Sequence, residues 1–206
     1  MSLIWTNAAL EPKRKFRYLV NFTNPNLTSF QFLAQTCDRP GVKIGMAEHK
    51  YFDKSFYHPG RVVWEPNPLN VKLVDIQKIG DVNNVDTNEA LLKVFAASGL
   101  TGLINATDGS VVTVGKEAAV KALGDVNIKV LNSALSDLPF NPNRVATQAG
   151  DTAIAEQWTL KNAWLESVKP EALDYGAEDI LTVTIALRYD WAEFTANSSE
   201  TVLKFT

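Results

Sequence analysis

The chain has 206 residues, 46% of them hydrophobic and 21% charged, with a formal net charge of −3. That length suits one large domain, or one domain carrying a sizeable insertion, and the balance of apolar and charged residues excludes wholesale disorder. The acidic excess argues against a protein that reads nucleic acid through a basic stripe, and no run of about 18 apolar residues exists to cross a membrane as a helix.

Residues 1–10 lack a basic start followed by a continuous apolar run, so no secretion signal is expected there. The one local basic cluster, Lys13, Arg14 and Lys15 with Arg17, reads as a solvated entry to a strand. From Lys15 to Phe22, Phe16, Tyr18, Val20 and Phe22 share one face, which predicts a half-buried strand. Thr23-Asn24-Pro25-Asn26 has turn chemistry. Phe30, Phe32 and Ala34 then alternate against Gln31 and Gln35, so the two strands read as a hairpin. Cys37 is the single cysteine. It has no intrachain partner, fits the role of a small buried hydrophobe, and suits a reducing compartment.

Arg39-Pro40-Gly41 breaks the chain. Residues 44–64 read as two short strands with a turn at His58-Pro59-Gly60. Pro66 and Pro68 force a loop or sheet edge, and residues 70–76 resume as a strand. Asp86 and Glu89 form a capping box ahead of a helix whose face is Leu91, Leu92 and Phe95, ending near Gly99. A stretch rich in Gly and Thr, 102–115, leads to a second helix over 116–123 that stops at Gly124. Residues 126–131 read as a strand, and 138–143 as a loop. The stretch at about 81–150 therefore looks like an α-containing insertion in a β chain.

Trp158, Leu160 and Trp164 alternate with polar residues. From Leu181 to Trp191 the alternation is unbroken. Leu181, Val183, Ile185, Leu187, Tyr189 and Trp191 share one face; Thr182, Thr184, Ala186, Arg188 and Asp190 share the other. A single strand of that length spans about 37 Å. It is either the centre of a closed barrel or sandwich or a sheet that continues into a neighbouring molecule. Val183, Ile185 and Leu187 are expected in the core, and Thr182, Thr184 and Arg188 in water.

No G-x-S-x-G, P-loop, Rossmann glycine run or H-E-x-x-H occurs. His49, Asp53 and His58 offer metal-ligating atoms, but their spacing matches no ligand pattern. Glu166, Glu171 and Asp174 are the nearest thing to paired carboxylates, and read as solvated loop acids. Trp158, Trp164 and Trp191 belong to a core or an interface before a sugar groove. No enzyme, cofactor or metal is expected.

Three segments, 158–168 (WTLKNAWLESV), 173–176 (LDYG) and 180–191 (ILTVTIALRYDW), resemble the C-terminal region of tail-tube proteins from contractile-tailed bacteriophages. Residues 16–22, 30–36 and Pro40-Gly41 fit the N-terminal part of that family more loosely. Leu165 departs from a proline that often follows the tryptophan, and the 81–150 stretch is longer than the family pattern.

The resemblance implies a mainly β fold: a single tail-tube domain over 1–206, an antiparallel barrel or sandwich with one or two short helices and the 81–150 insertion. It implies a structural subunit of hexameric rings stacked into a hollow tube that conducts DNA, related in fold to the type VI secretion tube. Its partners would be copies of itself, the tail sheath, and baseplate and tail-terminator proteins, with passing DNA contacted non-specifically. The location would be the virion, after synthesis in host cytoplasm. Mild acidity suits a lumen past which phosphate slides. A baseplate tube initiator or type VI tube subunit is the alternative within the fold, and a carbohydrate-binding β-sandwich the alternative outside it.

Overall fold

The computed structural model describes residues 13–24, 27, 30, 33–77, 86–100, 114–131, 154–176, 178–196 and 200–203. Eleven strands and two helices follow in chain order: β1 Tyr18–Phe22, β2 Ala34–Cys37, β3 Gly41–Tyr51, β4 Lys54–Glu65, β5 Leu69–Val74, α1 Thr87–Ala97, α2 Lys116–Leu123, β6 Val126–Leu131, β7 Ile154–Lys161, β8 Trp164–Pro170, β9 Thr182–Arg188, β10 Trp191–Ala196 and β11 Glu200–Leu203. The fold is mainly β and antiparallel, as expected. One sheet runs β1-β6-β7-β10-β11, a second runs β2-β5-β9-β8, and β3 and β4 pair only with each other.

The core lies between the two larger sheets. Val20 and Phe22 of β1, Val126 and Ile128 of β6 and Leu160 of β7 meet Leu69, Val71 and Leu73 of β5. β9 completes the layer with Val183, Ile185 and Leu187, all fully buried as the alternation predicts. At about 1.5–3 kcal/mol for each buried side chain, a one-residue slip of β9 is prohibitive.

Helix α1 starts where the sequence places it. The Asp86 carboxylate accepts the Glu89 N–H at 3.1 Å, satisfying one orphan donor. Its buried face is Ala90, Leu91 and Val94, whereas Leu92, expected on that face, is exposed. Leu92 is one step of about 100° round from Leu91, too far to share a narrow contact. Gly99, just past the helix, has φ 103°, and Gly124, ending α2, has φ 75°. Both helices contact β8. Of the expected insertion, residues 86–100 and 114–131 are described; they hold α1, α2 and β6, and β6 lies between β1 and β7.

Several expectations are corrected. The β1–β2 hairpin does not form. β1 pairs with β6 and β2 with β5. Between them, Leu27 and Phe30 are buried, and the Phe30 ring meets Phe22 edge-on at 6.4 Å. Leu27 and Phe30 thus join the core between the two strands. Phe16, expected inside, is exposed and lies before the strand.

The two short strands of 44–64 are instead one long hairpin that turns at Phe52-Asp53. His58-Pro59-Gly60 lies within β4. The register shifts between Ile44 and Met46, opposite this triplet, and there the backbones of Gly45 and Gly60 approach so closely that a Cβ on Gly60 would meet the Gly45 carbonyl carbon at 3.0 Å. A bulge on an unshared strand edge accommodates proline without losing a ladder bond.

The single strand 181–191 is two strands in different sheets. β9 ends at Arg188, and β10 begins at Trp191. Hydrogen bonds clamp the corner between them. The Tyr189 hydroxyl donates to the Pro66 carbonyl at 3.1 Å, and the Asp190 carboxylate takes Lys116 at 2.7 Å and Asn162 at 2.8 Å. β9 itself is internal, with β5 on one side and β8 on the other. Thr182, expected in water, is buried, and its hydroxyl donates to Glu171.

Pro25, Asn26, Gln31, Phe32, the stretch 102–113 and the 138–143 loop lie outside the described residues.

Candidate assembly surface

β3 and β4 prolong β2 and β5. The Asp38 N–H donates to the Asn70 carbonyl at 3.0 Å, and Gly41 then faces Glu65, so residues 34–74 make one extended strand pair. Its inner half belongs to the four-stranded sheet. Its outer half leaves the body for on the order of 35 Å, from the strand rise per residue.

Large apolar groups line both faces of that outer half: Ile44, Met46, Tyr51, Phe52, Phe56 and Tyr57 are all exposed, Phe52 to 89%. Trp64, at the root, is the one that returns to the body, with its ring 6.5 Å from Tyr189. An isolated two-stranded hairpin is at best marginally stable in water, and exposed strand edges invite pairing.

The four-stranded sheet has two further edges. β2 pairs only with β5 and β8 only with β9 among the described residues. Pro170, Val183, Leu73 and Ala34 form one cross-sheet row. Beyond Pro170, residues 171–176 and 178–181 are exposed and carry Glu171, Asp174, Glu178 and Asp179, and the sequence 171–181 has no basic residue. Leu173, Tyr175 and Ile180 in it are exposed, Leu173 to 85%.

On the opposite flank, beside β2, lies a cleft of about 560 Å³ bordered by Lys13, Arg14, Lys15, Arg17 and Arg39. Ile128 and Val130 form its floor, and Tyr18 spans its wall by donating to the Ala34 carbonyl at 2.9 Å. The Glu156 carboxylate, almost wholly buried, takes Lys13 and, at 2.8 Å, Arg39.

Neither a family model nor a curated protein matches this sequence. Solved structures do match. One chain of the PVC sheath/tube terminator in extended state, an extracellular contractile injection system, superposes with TM-score 0.55 at 15% identity, over 92% of this chain and 100% of that one. A chain of the PVC sheath-tube complex in extended state gives 0.54 at 15%, over 95% and 99%. A chain of the anti-feeding prophage baseplate gives 0.54 at 16%, over 91% and 98%. The chain has the tube fold of contractile injection systems.

Within this tube fold, the residues singled out for chemistry are dispersed or structurally engaged. His49 lies opposite Phe56 and His58 opposite Ala47 on the hairpin, with Asp53 at its tip. Among the described residues, no group of three His, Cys, Asp or Glu is placed to hold a metal. Glu166 pairs with Arg188 at 2.7 Å. The hydroxyl of Thr182 and then Lys72 lower the Glu171 carboxyl below its usual range. Asp174 accepts the Gly176 N–H at 2.8 Å.

Burial, with Asp38 adding to it, pushes the Cys37 thiol up to about 12, so it resists ionisation. Trp158 packs on Phe194 with ring centroids 4.6 Å apart, β7 against β10. Trp164 and Trp191 are partly buried.

Glu171 and Asp174, expected as solvated loop acids, do lie exposed outside the strands, but the hairpin's reach and the buried Glu156 were not foreseen. The alternation of Val42, Ile44 and Met46 with Lys43 and Gly45 signals a strand, but its burial cannot be read from the pattern. Nothing near Glu156 in sequence marks its pairing with Lys13 and Arg39, 143 and 117 residues away.

Proposed function

We propose that this chain is a structural subunit that acts by assembly, building a hollow tube of a contractile machine from stacked six-membered rings. The setting is a contractile phage tail in the virion, and the tube conducts DNA. Sheath, baseplate and tail-terminator proteins are its partners besides copies of itself. Residues 1–206 form one tube domain, with the stretch at about 81–150 as its helical part.

The observation that carries this reading is the β3–β4 hairpin. It extends well beyond the body with apolar side chains on both faces, and a monomer gains nothing from holding such a surface in water. The four-stranded sheet supports the reading. Its outward face presents Asn70, Lys72, Thr184 and Arg188, a polar lining suited to a water-filled channel, and among the described residues its β2 and β8 edges have no outer partner. A ring is the closed form of such head-to-tail edge pairing.

The test is imaging. Negative-stain electron microscopy of concentrated protein is expected to show rings or hollow rods. Replacing Met46→Asp together with Tyr57→Asp is expected to leave a folded, non-assembling chain. A wild-type chain that stays monomeric in sedimentation at high concentration ends the reading.

A further inference from the structure

We propose that the acidic loop 171–181 of one copy seats in the basic cleft beside β2 of the next copy, as the electrostatic lock of the ring. This rests on the tube reading and names a contact within it.

Two surfaces of opposite charge lie on opposite flanks of one sheet. Five cationic groups border the cleft, Lys13, Arg14, Lys15, Arg17 and Arg39, of which Lys13 and Arg39 also pair with the buried Glu156 carboxylate. That leaves a positive excess over an apolar floor. The loop carries four carboxylates with no compensating base in its own span, and sets Leu173 and Tyr175 among them in water. Among the described residues, Glu171 is the one of the four in an ion pair, with Lys72 at 3.7 Å. Each surface therefore supplies what the other lacks: charge of opposite sign, and apolar side chains for an apolar floor.

Topology places them to meet. The loop leaves β8, one edge of the four-stranded sheet; the cleft flanks β2, the other edge. Any ring that continues this sheet from copy to copy sets β8 of one molecule beside β2 of the next. Pro170 and Ala34 lie in the same cross-sheet row, so the loop starts at the level where β2 starts. Within one molecule the sheet itself separates the two surfaces, so the contact is between copies. Complementary charge of this kind selects partner and register and speeds encounter.

Charge reversal tests the idea with a rescue built in. One variant carries R14E, K15E and R17E, leaving two cations against three new carboxylates and Glu156, hence an acidic cleft and an acidic loop. The other carries D174K, E178K and D179K, giving a basic cleft and a basic loop. Circular dichroism and urea midpoints check that each folds. Each alone is expected to lose assembly, with the critical concentration in sedimentation raised about tenfold or more, the equivalent of about 1.4 kcal/mol. Mixed one to one, they are expected to assemble in alternation, because each loop then finds a cleft of opposite sign.

Reversed variants that assemble like wild type overturn the proposal, as does a mixture no better than its components. Assembly unchanged by R14E, K15E and R17E, alongside lost binding of a DNA oligonucleotide, overturns it in favour of a nucleic-acid site. A folded wild type that never assembles fails the tube reading itself, which the wild-type control reads separately.

Discussion

Tyr189 stands at the corner where the chain passes from one sheet to the other, and burial pushes its phenol up to about 12. In the unfolded chain the same group titrates near 10. Between these values the folded state holds a proton that the unfolded state has released. Stability is therefore complete below about pH 10 and falls as pH rises toward 12, by on the order of 2–3 kcal/mol. Tyr189→Phe removes that slope. It also strips the Pro66 carbonyl of its donor, at a cost of about 1–2 kcal/mol at neutral pH. Urea midpoints at pH 8 and pH 11.5 are expected to fall further apart in the wild type than in the variant; equal differences refute the assignment. Cys37 shifts in the same direction, but it is present in both chains and cancels. Gly124 is a second such position. With φ 75°, and an added Cβ 3.2 Å from the Asn24 nitrogen and 3.3 Å from the Thr23 Cβ, Gly124→Ala is expected to destabilise by more than about 1 kcal/mol in the same assay.

At the scale of elements, the hairpin tip separates two demands on one residue. Phe52 has φ 55°, a left-handed conformation that a bulky side chain adopts only under strain, and it is almost fully exposed. A turn selected for the isolated chain would place glycine there. Phe52→Gly is expected to raise monomer stability by up to about 1 kcal/mol while weakening assembly. A gain in both would mean the aromatic tip has no neighbour to contact. The sequence revealed most where a pattern is local. The cap at Asp86, the stop at Gly124, the strand 126–131 and the core face of Val183, Ile185 and Leu187 were all legible, because each depends on spacing within one element. Pairing partners were not. β1 joins β6 across more than a hundred residues, and nothing in Tyr18–Phe22 names that partner. The β9–β10 corner was hidden for a related reason. Alternation continues through Tyr189 and Asp190, and the hydrogen bonds that bend the chain come from Pro66, Lys116 and Asn162, distant in sequence.

For the molecule as a whole, folding and assembly are assigned to different residues, and that division is testable. The core draws on both larger sheets and the helices; from the hairpin it takes only Trp64, partly buried at its edge. The exposed stretch 44–62 therefore adds little to the stability of one copy. Its apolar side chains face water in both the folded and the unfolded monomer, so no burial is lost when they are removed. Replacing 44–62 by a short glycine-rich turn that joins Lys43 to Val63 keeps the root of the hairpin and the link to β5. Such a chain is expected to unfold cooperatively in urea, with a midpoint within about 1 kcal/mol of the full-length protein's stability, because the loop-closure term changes only slowly with length. In sedimentation it is expected to be monomeric at concentrations where the wild type forms rings or rods. The two readouts move together only if the hairpin is part of the folding unit. In that case deletion would broaden or abolish the unfolding transition, and the exposed apolar faces would need an explanation inside the single chain instead of between copies.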